Sequence, residues 1–328
     1  MKKIKIITTG GTIAMGQDNK SNQIVPKLSG SDLLDYVPEL KNIAQLDLLQ
    51  YSNLDSSQLS PNMILGLAKK VEEALADESI SGVLITHGTD TVEETAYLLD
   101  LILDVQKPVV ITGALRSFNQ LSSDGEANLV HSLQTILDPR SKNKGVLIAI
   151  NNQIHAARFI YKVHTNKLTS FASLNAGPIG YIDHCGVHYF YDLAPQITVK
   201  TDKLKNRVDI IKLSIGTDDT LIQAALDSGT EGIVLEAFGV GTIPKRVTKG
   251  LFRAKEEGIP VVLTSRCLEG RVYNLYGASA GGVDISELDL IFARTLNSTK
   301  ARLLLMLLLS RGLSKGEIRK YFALKLKM

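Results

Sequence analysis

A chain of 328 residues with 44% hydrophobic and 22% charged residues has the composition of a soluble globular protein, with room for one large or two medium domains. A net charge of +3 without a dense basic patch argues against nucleic acid as the main partner. Two cysteines, Cys185 and Cys267, stand far apart and outside any CxxC spacing, which argues against a disulfide framework and fits a reducing compartment.

Met1-Lys2-Lys3 has the charge of a signal n-region, but Thr8-Thr9-Gly10-Gly11 ends the apolar stretch too early for an h-region, so no signal peptide is expected. Apolar β-rich runs then alternate with helical patterns, which predicts βαβ units and a parallel sheet. Strands are predicted at 4–8, 46–50, 83–86, 109–112 and 146–150, and their continuous apolar character fits cover on both faces. Helices are predicted between them. The first spans 61–76, with Ser60 as N-cap and Pro61 in the first turn. The second spans 91–103, with Glu93 and Glu94 in its first turn, and the third 124–137, stopping before Pro139. From 153 to 199 the texture changes to short alternating strands, and 181–190 reads as a hairpin turning near Cys185-Gly186. A polar stretch at 198–207 is the expected linker. Beyond it, strands at 208–213, 232–236 and 261–264 and a long helix at 298–311 form a second α/β pattern. The apolar run 303–309 is about a third of a membrane-crossing helix and reads as a buried one. The expected organisation is therefore an N-terminal α/β domain at 1–197, the linker, and a C-terminal α/β domain at 208–328.

Two threonine-bearing loops follow predicted strands, and loops at strand carboxyl ends gather into the ligand crevice of an open parallel sheet. In Thr9-Gly10-Gly11-Thr12 the glycines turn the chain sharply and expose its N–H groups, leaving Thr12 as a candidate nucleophile that needs a base; a plain tight turn fits as well. No GxxxxGK[ST] and no GxGxxG follows a strand, so nucleotide binding lacks its fingerprint. In Gly88-Thr89-Asp90, Asp90 suits an ammonium group or the orientation of a base, or simply caps the next helix. The adjacent His87 reads as a structural strand-end histidine rather than a triad member. Ser56 and Ser57 have hydroxyls suited to a carboxylate, or lie in an ordinary turn. Lys162 acts as a base only if its segment folds back over the crevice; otherwise it is a solvated lysine. His184 and His188 are four apart across a hairpin rather than on a helix face, and no HExxH or paired CxxC exists, so no metal site is expected.

Taken together, these stretches resemble the bacterial-type L-asparaginases, the asparaginase/glutaminase group with threonine nucleophiles, over essentially the whole chain. The resemblance rests on Thr-Gly-Gly-Thr-Ile-Ala at 9–14 and on Ile-Thr-His-Gly-Thr-Asp-Thr at 85–91, continuing into Glu93-Glu94-Thr95-Ala96-Tyr97. Residues 108–114, Ser123-Asp124-Gly125 with Asn128, and 177–180 add to it. It implies a flavodoxin-like N-terminal parallel sheet with helices on both faces plus a smaller C-terminal α/β domain. It implies hydrolysis of L-asparagine to L-aspartate and ammonia, with minor glutaminase activity allowed for. Thr12 matches the primary nucleophile, and Thr89 the second catalytic threonine, in a set with Lys162 and Asp90. Ser56 and Ser57 match the residues that hold the substrate's α-carboxylate, and Asp90, beside Thr89, the one that holds its α-ammonium. No cofactor and no metal is implied, nor a nucleic-acid or membrane partner. The family's quaternary form is a homotetramer of intimate dimers, with sites between the N-domain of one subunit and the C-domain of its neighbour.

The sequence also departs from the family pattern. Gln23 falls where many members carry a tyrosine in the mobile loop, here 15–29, that helps activate the nucleophile. Ser57 stands where secreted members often carry glutamine, which, with the expected lack of a signal peptide, points to the cytoplasm. Residues 239–244 lack an asparagine that some members donate across the interface. Two other readings remain beside the enzyme. One is a non-catalytic amino-acid-binding protein, suggested by the missing tyrosine. The other is the amidase subunit of a tRNA-dependent amidotransferase, which usually carries an extra N-terminal domain. The glycine-rich segment 271–285 suits an interface or an effector site.

Overall fold

A computed structural model describes residues 1–17, 24–26, 29, 32, 35–194, 197–204, 207–274 and 285–323, with the backbone path alone at 17 and 24–26. Two compact units are present, one covering Met1–Lys200 and one starting at Thr201.

The first unit carries twelve strands among its described residues: β1 (Lys3–Gly10), β2 (Met15–Gln17), β3 (Ile24–Pro26), β4 (Gln45–Leu54), β5 (Ile80–Thr86), β6 (Val109–Thr112), β7 (Val146–Ile150), β8 (Gln153–Ala156), β9 (Ile160–Lys162), β10 (Phe171–Ser173), β11 (Gly180–Asp183) and β12 (Gly186–Tyr189). Eight of them form one sheet in the order β12-β11-β8-β7-β6-β5-β1-β4. β4, β1, β5, β6 and β7 run parallel, and β8, β11 and β12 extend the sheet antiparallel. Counted along the chain, the parallel strands lie in the order 2-1-3-4-5, the flavodoxin-like winding. Its direction reverses between β1 and β5, and the crevice outside those two strand ends is where such sheets bind ligands.

Side-chain alternation explains why these strands sit in the middle of the unit. Ile4 and Ile6 of β1 join Leu84, Val110, Leu147 and Ala149 in one cluster, packed on Leu129, Leu133 and Ile136 of the helix Gly125–Leu137. Ile7, Ile85, Ile111 and Ile148, which alternate with them, are equally buried, so both faces of the sheet are covered. The helix Pro61–Ala76 starts where the sequence predicts it, with the Ser60 hydroxyl accepting the Met63 N–H at 3.3 Å and proline at its first position. The predicted hairpin is β11–β12, but its register pairs Asp183 with Gly186. The two turn residues are therefore His184 and Cys185, one position earlier than expected. The Asp183 carboxylate fixes this turn by accepting the Cys185 N–H at 2.8 Å.

The second unit holds a parallel sheet in the order β13 (Val208–Lys212), β14 (Gly232–Ala237), β15 (Val261–Ser265) and β16 (Ile291–Phe292). The apolar run of the sequence lies in the helix Ser298–Ser310, where Leu303 to Leu308 are buried. Among the described residues no helix is long and apolar enough to cross a membrane.

Leu84 is fully buried at the centre of the first unit's sheet, whereas Leu121 is 94% exposed. Leu84→Ala is expected to lower unfolding free energy by about 2–5 kcal/mol. Leu121→Ala should stay within about 0.5 kcal/mol of wild type. Denaturant titration of both variants checks this, and equal effects would contradict the burial pattern.

Candidate active site

The crevice is assembled by backbone contacts that only glycine permits. After β1 the chain turns through Gly10 (φ 107°) and Gly11 (φ 85°) into a 3-10 turn at Thr12–Ala14. A Cβ on Gly11 would fall 2.4 Å from the Gly88 Cα, and one on Gly10 would fall 2.5 Å from the Leu54 carbonyl oxygen. A Cβ on Gly88 would lie 2.7 Å from Ser56 Oγ, and one on Gly113 would lie 2.5 Å from the His87 carbonyl oxygen. The loops after β1, β5 and β6 therefore pack backbone against backbone, and the side chain of Ser56, in the loop after β4, packs against Gly88. That contact sets Thr12, Thr89 and Ser56 on adjoining loops.

Hydroxyls tie the strand ends and the loops together. Thr9 Oγ1 donates to the Thr86 carbonyl at 2.9 Å, and Ser52 Oγ donates to the Thr9 carbonyl at 2.8 Å. Thr91 Oγ1 donates to the Ser56 carbonyl at 2.9 Å. This corrects the capping reading of Asp90: the helix Val92–Ile102 starts with no side-chain cap, because the Asp90 carboxylate is bonded to Lys162 and Thr91, which stands at the N-cap position, is bonded to Ser56.

Asp90 is committed to Lys162. The Lys162 segment does fold back, and its ammonium donates to Thr89 Oγ1 at 3.1 Å and to Asp90 Oδ1 at 2.6 Å. The lysine side chain is 16% exposed and that of Asp90 64%, so the ion pair opens to solvent on the carboxylate side, while Thr89 is buried. The backbone N–H of Lys162 donates to Glu93 Oε2 at 2.6 Å. In the sequence Glu93 reads as a first-turn acid suited to the helix dipole and as part of the stretch that carries the resemblance; its bond to a strand distant in sequence leaves no local signal.

At the third loop, Asp55 caps a 3-10 turn at Ser56–Gln58, accepting both the N–H and the hydroxyl of Ser57 at 3.2 Å. Ser56 is buried against Gly88 and Ser57 is exposed. At the fourth loop, the Asp124 carboxylate accepts the Leu115 and Arg116 N–H groups at 3.0 and 2.9 Å. Asn128 Nδ2 donates to the Gly113 carbonyl at 2.9 Å.

His87 is fully buried, and its Nδ1 lies 2.7 Å from the Gly88 carbonyl, an arrangement that assigns the proton to Nδ1. Burial pushes its pKa down to about 4, so the imidazole is neutral and serves its own loop. Elsewhere, half-buried Asp183 and exposed His184 and Cys185 place possible ligand atoms within 4.8 Å of one another at the β11–β12 turn, and His188 Nε2 lies 3.1 Å from Asp183 Oδ1. Donors of this chemistry suit a cation, but they belong to the sheet-edge hairpin rather than to the crevice. Gln23, most of 15–29 and residues 275–284 of the glycine-rich segment lie outside the described residues.

The buried histidines predict acid lability. His87 and His155 both have folded pKa values of about 4, lowered by burial from 6.5. Below pH 6.5 the unfolded chain takes up protons that the folded chain refuses, so their contribution to stability is complete above pH 6.5 and is lost towards pH 4. The melting temperature is expected to fall over that window and to fall less steeply in His87→Gln. A flat profile between pH 6.5 and 4.5 would contradict the two buried neutral imidazoles.

The family model described as "Asparaginase, N-terminal" matches residues 3–195, and that described as "Glutaminase/Asparaginase C-terminal domain" matches residues 207–322. The L-asparaginase of Bacillus licheniformis is 33% identical over 309 residues, covering 94% of this chain and 96% of that protein. L-asparaginase 2 of Escherichia coli is 36% identical over 330 residues, covering 98% and 93%. The crystal structure of a probable cytoplasmic L-asparaginase from Campylobacter jejuni superposes with a TM-score of 0.89 at 35% identity, over 98% of this chain and 99% of that one. Family models over both halves and relatives aligned nearly end to end make this chain a member of the asparaginase/glutaminase family of amidohydrolases.

Proposed function

We propose that the protein is a cytoplasmic L-asparaginase that hydrolyses the side-chain amide of L-asparagine to L-aspartate and ammonia through a threonine nucleophile, with minor activity on glutamine. The observation that carries this reading is the contact of Lys162 Nζ with both Thr89 Oγ1 and Asp90 Oδ1, at 3.1 and 2.6 Å, on the loop that packs against Gly11, the residue before Thr12.

In the first step Thr12 Oγ1 attacks the amide carbon, the C–N bond breaks, and ammonia leaves with the hydroxyl proton. In the second, water attacks the resulting ester, aspartate is released and Thr12 regains its proton. Thr89, oriented by Lys162, stands beside the reacting carbon and manages the proton transfers of the second step, and backbone N–H groups of its loop stabilise the oxyanion. The substrate's two α-charges find opposite partners. Ser56 and Ser57 hold the carboxylate, and Asp90, with most of its side chain open to solvent, holds the ammonium. No metal or organic cofactor enters these steps. The Campylobacter jejuni neighbour, described as probably cytoplasmic, supports that location. Family resemblance supports a homotetramer, which light scattering tests.

Ammonia release from L-asparagine and L-glutamine tests the reading. Wild type is expected to turn over asparagine in preference to glutamine. Thr12→Ala and Thr89→Val should each be folded and inactive, and Lys162→Met should lose about 10²–10⁴-fold in kcat. Near-normal turnover in both threonine variants would contradict the mechanism. A folded wild type silent on both substrates would favour an amino-acid-binding protein.

A further inference from the structure

Lys162 sits at the end of β9, a strand of three residues whose ladder partner is the equally short β10, in a two-stranded sheet separate from the main one. A long lysine side chain on such a strand has many rotamers, yet its ammonium must meet Thr89 and Asp90 together. The main chain of Lys162 is anchored from the same place. Glu93 accepts its N–H at 2.6 Å, and Glu93 lies three residues beyond Asp90, in the first turn of the helix Val92–Ile102. The segment 89–93 therefore grips Lys162 twice, at the ammonium through Thr89 and Asp90 and at the backbone through Glu93. The helix behind Glu93 is buried along most of its length, so the carboxylate is presented from a fixed support.

We propose that Glu93 is a positioning residue for the amide hydrolysis: it fixes the base of the Lys162 side chain so that the ammonium stays on Thr89 and Asp90. The inference rests on the proposed function, and it assigns Glu93 no contact with substrate. An acceptor oxygen at the right reach is what the site needs. Glutamine keeps that oxygen, whereas alanine removes it and aspartate falls one methylene short.

The test uses the full chain with Glu93→Ala, Glu93→Gln and Glu93→Asp. For each, kcat and KM for L-asparagine are referred to folded enzyme measured by thermal unfolding, and a crystal structure of the alanine variant is determined. Glu93→Ala is expected to lower kcat about 10- to 100-fold, the scale of a misplaced catalytic group, with KM changed less than about threefold. Glu93→Gln should stay within about threefold of wild type. In the crystal, Lys162 Nζ should leave hydrogen-bonding reach of Thr89 Oγ1. If the alanine variant does not fold, Glu93→Asp carries the same expectations. The proposal is overturned by full kcat per folded alanine variant, by a glutamine variant as impaired as the alanine one, or by an unmoved Lys162. A wild type without turnover would count against the proposed function, while the crystal structure still decides the role of Glu93.

Discussion

Close approach of glycine backbones at the carboxyl ends of the parallel strands is the constraint on which the rest of the site depends. Neighbouring strands lie about 5 Å apart, but the loops that leave them ordinarily diverge. Here Gly10 and Gly11, both at positive φ, turn the chain back so that Gly11 meets Gly88 and Gly88 meets Ser56. Another residue at Gly11, whose φ of 85° and ψ of 175° suit glycine alone, would add a backbone penalty of about 1–3 kcal/mol to a steric overlap with backbone that has little room to yield. The hydroxyls on these loops owe their proximity to this packing, not to any attraction between them.

The ion pair at the site does not hold the site together. A salt bridge with one partner largely exposed contributes roughly 0–1 kcal/mol, and Asp90 is such a partner. What fixes Lys162 is its strand and the bond from its N–H to Glu93, and what fixes Thr89 is a loop pressed between Gly11 and Gly113. Beneath them the sheet supplies a rigid floor: Ile7, Ile85 and Ile111 are fully buried, and Thr8, Thr86 and Thr112 lie in register across three strands. The polar groups to which the proposed function assigns the chemistry thus stand on an apolar support to which they contribute little.

Much of this was legible in the sequence because it is local. Continuous apolar runs mark strands covered on both faces at β1, β5, β6 and β7, Ser60-Pro61 marks a helix start, and glycines after a strand mark a sharp turn; the expected cover fails for β4, which is the edge strand of the sheet and has no buried residue. Long-range pairings were not legible. Nothing within a few residues of Glu93 or Thr91 indicates partners 69 and 35 positions away. The strands β9, β10 and β16 are too short for periodicity to register, although Lys162 depends on the first. One missed element did carry a local signal. The helix Lys315–Ala323 begins with Ser314 and Glu317 bonded reciprocally, a capping box written in the spacing of those two residues.

The central claim is that Thr12 forms the covalent bond and that the Thr89–Lys162–Asp90 set then serves its hydrolysis. Peptide mass spectrometry of the Thr89→Val and Lys162→Met variants, quenched during reaction with L-asparagine, tests it most directly. The account predicts an aspartyl adduct on the peptide that carries Thr12. An adduct on another residue, or ammonia release equal to one per enzyme with no adduct on Thr12, would contradict it.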